Sequence, residues 1–126
     1  MEKIDLTSAE WHVMESLWAR APRTGREVTE RMEQEMGWSR STTLTLLRRL
    51  VTKGAVLCES GAAKSEFSPL VRREDAALQE TESFLERVYQ GSLSMMVSAM
   101  TRRQAVSREE LDELYAMLRE LEEGAK

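Results

Sequence analysis

The chain has 126 residues and a net charge of -4, from 18 Lys and Arg against 22 Asp and Glu; 41% of its residues are hydrophobic and 32% charged. That suits one globular, helix-leaning domain, or a small domain with an appendage, and is long enough to fold without disulfide or metal staples. A single cysteine (Cys58) and a single histidine (His12) exclude a disulfide framework and the usual Cys/His zinc site; no apolar run approaches the roughly 18–20 residues that cross a bilayer, and Met1-Glu2-Lys3-Ile4-Asp5 lacks the features of a signal peptide, so a cytoplasmic protein without membrane insertion is expected.

In chain order, the first helix is capped by Thr7 or Ser8, with Glu10 three residues after Thr7 as in a capping box. Trp11, Met14, Leu17, Trp18 and Ala21 recur at helical spacing and Pro22 stops the run. A second helix starts at Thr24, where Glu27 completes another capping box, carries Val28, Met32 and Met36, and closes at Gly37. A third follows within two residues: Ser39 caps it, Leu44, Leu46, Leu47, Leu50 and Val51 supply its apolar residues, and Gly54 ends it. Three helices joined by tight turns, the last two nearly abutting, form a helix-turn-helix arrangement.

Residues 55–59 and 65–68 read as two short strands around the turn Ser60-Gly61-Ala62-Ala63-Lys64, with Pro69 ending the second. A hairpin directly after a helix-turn-helix is a wing, covering about 55–70. Three amphipathic helices then follow. Ala77, Leu78, Phe84, Leu85, Val88 and Tyr89 mark the first, closed near Gly91; Leu93, Met96, Val97 and Met100 mark the second; Ser107 with Glu110 opens the third, which carries Leu111, Leu114, Tyr115, Leu118 and Leu121. With no β-partner and little bulk of their own, these faces are expected to bury against a second copy of the chain. The expected division is 1–71 and 72–126.

Charge is unevenly spread. Residues 1–71 hold 10 basic and 10 acidic side chains, and residues 72–126 hold 8 and 12. Residues 36–58, a stretch of 23, contain Arg40, Arg48, Arg49 and Lys53 and no acid. Local charge, rather than the total, forms an electrostatic footprint on DNA. Stepping about 100° per residue from Ser39 puts Thr43, Leu46, Leu47 and Leu50 on the core side. Ser41, Leu44, Thr45, Arg48 and Thr52 fall opposite, with Thr42 and Arg49 on the flank. Small hydroxyl residues near the N-terminus let a helix approach base edges in the major groove, and arginines further along pair with guanine or phosphate. Leu44 is the odd member of that face; a thymine methyl is one partner for it.

Secondary phosphate candidates are Thr24 and Arg26 at the start of the second helix and Lys64 in the wing loop, with ordinary capping and surface solubility as the competing readings. Trp11, Trp18 and Trp38 read as core, His12 as a surface residue, and Cys58 as a buried thiol.

The segments LTSAEWHVMESLW at 6–18, WSRSTTLTLLRRLVTKG at 38–54 and FSPLV at 67–71 together resemble the penicillinase-repressor family (BlaI/MecI/CopY), and ERVYQGSLSMMV at 86–97 resembles its dimerisation segment. The resemblance spans about residues 5–121. It implies a mainly α protein: a winged helix-turn-helix domain followed by an α-helical dimerisation domain, forming a homodimer that sits on a palindromic operator and blocks transcription. It also implies DNA contact at Ser41, Thr42, Thr45 and Arg49. The family's copper-responsive branch binds metal through cysteine pairs near the C-terminus. This chain ends Leu121-Glu122-Glu123-Gly124-Ala125-Lys126, so a thiolate copper switch is not expected. The β-lactam branch is derepressed by a signalling protease that cuts an Asn-Phe bond; the matching positions here are Ala99 and Met100.

Two classes of function compete at this point: a DNA-binding repressor and a winged-helix protein-interaction module. An enzyme is a poor third, because no nucleophile–base pair, phosphate loop or metal cluster is present. No cofactor or metal is expected.

Overall fold

The computed structural model describes residues 4–61, 64–103 and 105–124. The wing-turn residues Ala62 and Ala63 and both extreme termini lie outside the described residues. The element order is α1 (Ser8–Ala19), β1 (Arg23–Thr24), α2 (Gly25–Met36), α3 (Arg40–Lys53), β2 (Val56–Ser60), β3 (Ser65–Pro69), α4 (Arg73–Tyr89), α5 (Leu93–Arg103) and α6 (Arg108–Gly124).

Local chemistry sets these boundaries. Thr7 accepts from the Glu10 amide while the Glu10 carboxylate accepts from Thr7, and Thr24 and Glu27 repeat the exchange at α2. Each box satisfies two amides that helix geometry leaves without partners. Helices α2 and α3 stop at Gly37 and Gly54, at φ of 70° and 84°, a left-handed conformation that side chains with a Cβ resist. Ser107 caps α6 by accepting from the Glu110 amide at 3.1 Å.

Strands β2 and β3 form the hairpin in antiparallel register, with Cys58 opposite Phe67. Strand β1 is an addition to the expected hairpin. It pairs with β3 through Arg23↔Phe67 and Thr24↔Glu66, so β3 is the middle strand of a three-stranded sheet. Two residues carry too little alternation to announce a strand.

Contacts divide the chain into two compact units, Met1–Ser83 and Phe84–Lys126. Secondary structure changes near residue 72, but packing partners change inside α4. Its first turns belong to the first unit: Ala76 is buried, Arg73 pairs with Glu15 at 2.7 Å, and Gln79 accepts from the Ile4 amide.

The first unit buries Val13, Met14 and Leu17 of α1, Val28 and Met32 of α2, Leu46, Leu47 and Leu50 of α3, and Ala55 and Val56 where the wing begins. Trp18 and Trp38 pack against this core partly buried, and the Trp18 indole donates to the Val71 carbonyl at 2.9 Å. Trp11 departs from its core assignment: it is half-buried outside the cluster, edge-on to Trp18 and beneath the Arg73 guanidinium. Ala21 lies beyond the end of α1 and is exposed. Cys58 is exposed rather than buried. Only Val56 at the base of β2 reaches the core; beyond it the strand faces solvent on both sides.

In the second unit, none of the described residues of α5 or α6 is buried. Leu93, Leu118 and Leu121 are 58%, 55% and 69% exposed.

Candidate nucleic-acid interface

The candidate reading element is α3. Its inner side is held by buried Thr43, Leu46, Leu47 and Leu50, which leaves Arg40, Ser41, Thr42, Thr45, Arg48 and Arg49 exposed. At its start the hydroxyls are linked. Ser39 Oγ accepts from the Thr42 amide at 3.3 Å and lies 3.0 Å from Thr42 Oγ1 and 3.3 Å from Ser41 Oγ. Thr45 Oγ1 donates back to the Ser41 carbonyl at 2.9 Å. These bonds hold the hydroxyls close to the helix, so the N-terminal end stays slim, as approach to base edges requires.

The first turn of α3 contains no acidic residue, whereas α1 and α2 carry Glu10 and Glu27 there. The positive end of the α3 dipole is therefore left without a neutralising carboxylate, which favours an approaching phosphate. None of Arg40, Arg48 and Arg49 pairs with a carboxylate among the described residues.

Three sequence-level assignments change, those of Leu44, Lys53 and Thr24. Leu44, expected on the outward face, is half-buried and packs against the core. The start of α2 and strand β3 close over that side of α3: a Cβ added at Gly25 would meet Phe67 at 3.6 Å and Leu44 at 3.7 Å. Position 44 sits at the edge of the helix face, and the tertiary neighbours decided its side. A thymine contact is not needed to account for it.

Lys53 does not add to the exposed charge as counted. Its ammonium donates to Glu10 Oε1 at 2.6 Å and to the Asp5 carbonyl at 2.7 Å, so the free cations on α3 are Arg40, Arg48 and Arg49. Thr24 is buried, and its hydroxyl oxygen is occupied by the Glu27 amide. Arg26 is exposed but shares its charge with Glu30 at 3.0 Å. Lys64 is exposed at the wing loop, where its carbonyl accepts from Gly61.

Glu10 has a role beyond the capping box that the sequence shows: it is 0% exposed. A signal existed: Glu10, Val13, Met14 and Leu17 share one helical face. Burial pushes its carboxyl up, but the hydrogen bond from Lys53 and those from Thr7 outweigh this and hold it below its ordinary value.

The arrangement is a winged-helix reading head, with one helix presenting hydroxyls and unpaired arginines beside a β-hairpin; this is the architecture of winged helix-turn-helix transcriptional regulators. The penicillinase repressor family matches residues 6–120, and the chain belongs to that family. The penicillinase repressor of Bacillus licheniformis is 32% identical over 121 residues, covering 95% of this chain and 94% of the relative. The methicillin resistance regulatory protein MecI of Mammaliicoccus sciuri is 26% identical over 114 residues, covering 90% and 93%. A solved structure of Bacillus licheniformis BlaI, in its monomeric form in complex with the blaP half-operator, aligns with a TM-score of 0.53 at 29% identity, covering 60% of this chain and 93% of that one.

Proposed function

We infer that this chain is a transcriptional repressor that reads duplex DNA with α3 and steadies it with the β2–β3 wing. The observation that carries the reading is the outer face of α3: linked hydroxyls at a helix start without acids, followed by arginines that no described carboxylate neutralises. Family membership and the half-operator complex of the BlaI relative support it. Within this reading Ser41, Thr42 and Thr45 meet base edges, Arg49 and Arg48 pair with guanine or phosphate, and Arg40, Arg26 and Lys64 meet phosphates. Acting on DNA without a membrane-crossing helix among the described residues, it works in the cytoplasm.

We further propose that the repressor acts as a homodimer on a palindromic operator. A single winged helix makes few contacts, and non-specific binding is typically only about 10⁻⁴–10⁻⁶ M. Two half-sites on one dimer raise affinity through effective concentration. The partner surface is the apolar side of residues 84–121: Phe84, Leu85, Val88, Tyr89, Leu93, Met96, Val97, Leu111, Leu114, Leu118 and Leu121. Among these, Phe84, Val88, Leu93, Val97, Leu114, Leu118 and Leu121 are exposed in the single chain. Derepression follows from a signal that loosens this unit, such as a protease, because separating the half-sites lowers affinity without touching the reading head. Ala99 and Met100 lie inside α5, so cleavage between them requires that helix to open first.

The test is binding of fluorescent promoter duplexes by an Arg48→Ala/Arg49→Ala variant. Loss of at least tenfold in affinity is expected, with a salt slope shallower by up to about 1.8 if both arginines meet phosphate. Unchanged affinity and slope would favour a protein-interaction module.

A further inference from the structure

Lys53 is the last residue of α3, and its ammonium is spent inside the protein. Nζ bonds Glu10 Oε1 at 2.6 Å and the Asp5 carbonyl at 2.7 Å. Glu10 Oε1 also accepts from the Thr7 amide at 2.8 Å. One buried carboxylate oxygen thus closes the cap of α1 and anchors the final turn of α3, which is 43 positions away in sequence. Glu10 Oε2 is buried with no partner among the described residues. A pair exposed on both sides would hold little. Here one member is entirely removed from water, so separating the pair leaves a buried charge alone.

Base-edge readout depends on how a helix is held, whereas phosphate attraction tolerates small shifts. Resting on the repressor reading above, we propose that Glu10 and Lys53 are positioning residues for DNA recognition. Their pair fixes the C-terminal turn of α3 against the start of α1, and Lys53 makes no phosphate contact of its own.

The proposal and its rival predict opposite signs for Glu10→Gln. That change removes the negative charge that Lys53 pairs with, which leaves the ammonium's charge uncompensated even where the amide oxygen still accepts from it. If Lys53 belonged to the electrostatic footprint, every duplex would bind more tightly. If the pair positions α3, specific binding weakens while non-specific binding stays.

The measurement is anisotropy across a salt series, using a duplex selected from a randomised pool by the wild-type protein and a scrambled duplex of the same composition. For Glu10→Gln and for Glu10→Gln/Lys53→Met we expect about a tenfold loss on the selected duplex, scrambled-duplex affinity within about twofold, and an unchanged salt slope. The double variant leaves no unpaired buried charge, and its melting curve establishes that it is folded at the assay temperature. Lys53→Arg keeps charge and donors and retains the wild-type ratio. Tighter binding by Glu10→Gln, unchanged specific affinity, or a Lys53→Met slope shallower by about 0.9 with equal losses on both duplexes would overturn the proposal. If the wild-type protein selects no duplex, it is the repressor reading that fails. The pair is then judged in the free protein by hydrogen exchange at Gly54 and Ala55, whose amides bond the Val51 and Leu50 carbonyls. Faster exchange in Glu10→Gln, with α2 unchanged, supports the positioning role, and identical exchange overturns it.

Discussion

Two glutamates, Glu10 and Glu27, do the same local work in different surroundings. Each accepts a hydrogen bond from the backbone amide of its capping threonine. Glu27 is held below its ordinary value chiefly by the bond from the Thr24 backbone. Glu10 is held below it against the opposing effect of burial, by Lys53 and Thr7. A carboxyl whose folded value is depressed contributes stability above its unfolded value of 4.5, and that contribution is lost as pH falls through the folded value. Urea unfolding should therefore show a lower midpoint at pH 3 than at pH 7. Glu10→Gln should lower the midpoint at pH 7 and flatten the fall between the two. An equally steep fall in the variant would mean that other groups govern the acid response.

At the scale of elements, α3 illustrates how one helix serves two masters. Its inner face packs the core and its outer face stays free for a ligand, with Leu44 on the seam. Because Leu44 contacts the core margin near Gly25 and Phe67, truncating it should act on stability rather than on base discrimination. Leu44→Ala is expected to cost about 1–2 kcal/mol, less than a fully buried leucine, by chemical denaturation. Its preference among duplexes differing at single A·T pairs should match that of the wild type. A specific loss at one thymine would return Leu44 to the DNA interface.

At the scale of the whole molecule, the two units differ in how far each satisfies itself. The first buries a continuous core of three helices and the base of the wing. The second leaves leucines and methionines of α5 and α6 in water, beyond what a stable helical unit of this size usually exposes. On the dimer reading, Leu118→Glu/Leu121→Glu should give monomers in sedimentation velocity and weaken binding to a two-half-site operator far more than to a single half-site. A persistent dimer would place the contact elsewhere.

By itself the sequence determined the parts that depend on near neighbours along the chain. Thr7-Glu10 and Thr24-Glu27 cap helices through bonds three residues apart. Gly37 and Gly54 end them by backbone conformation, and the spacing of Leu46, Leu47 and Leu50 marks the inner face of α3. The motif segments carried enough of this pattern to indicate the family and the reading helix. Tertiary structure alone decided what depends on which surfaces meet. It drew Lys53 out of the basic stretch and onto Glu10, turned Leu44 inward beneath Gly25 and Phe67, left Cys58 exposed where the hairpin outruns the core, and added β1 to the sheet. None of these follows from periodicity, because a helical position within about 40° of a face boundary, or a lysine four carbons from its charge, takes its environment from elements distant in sequence.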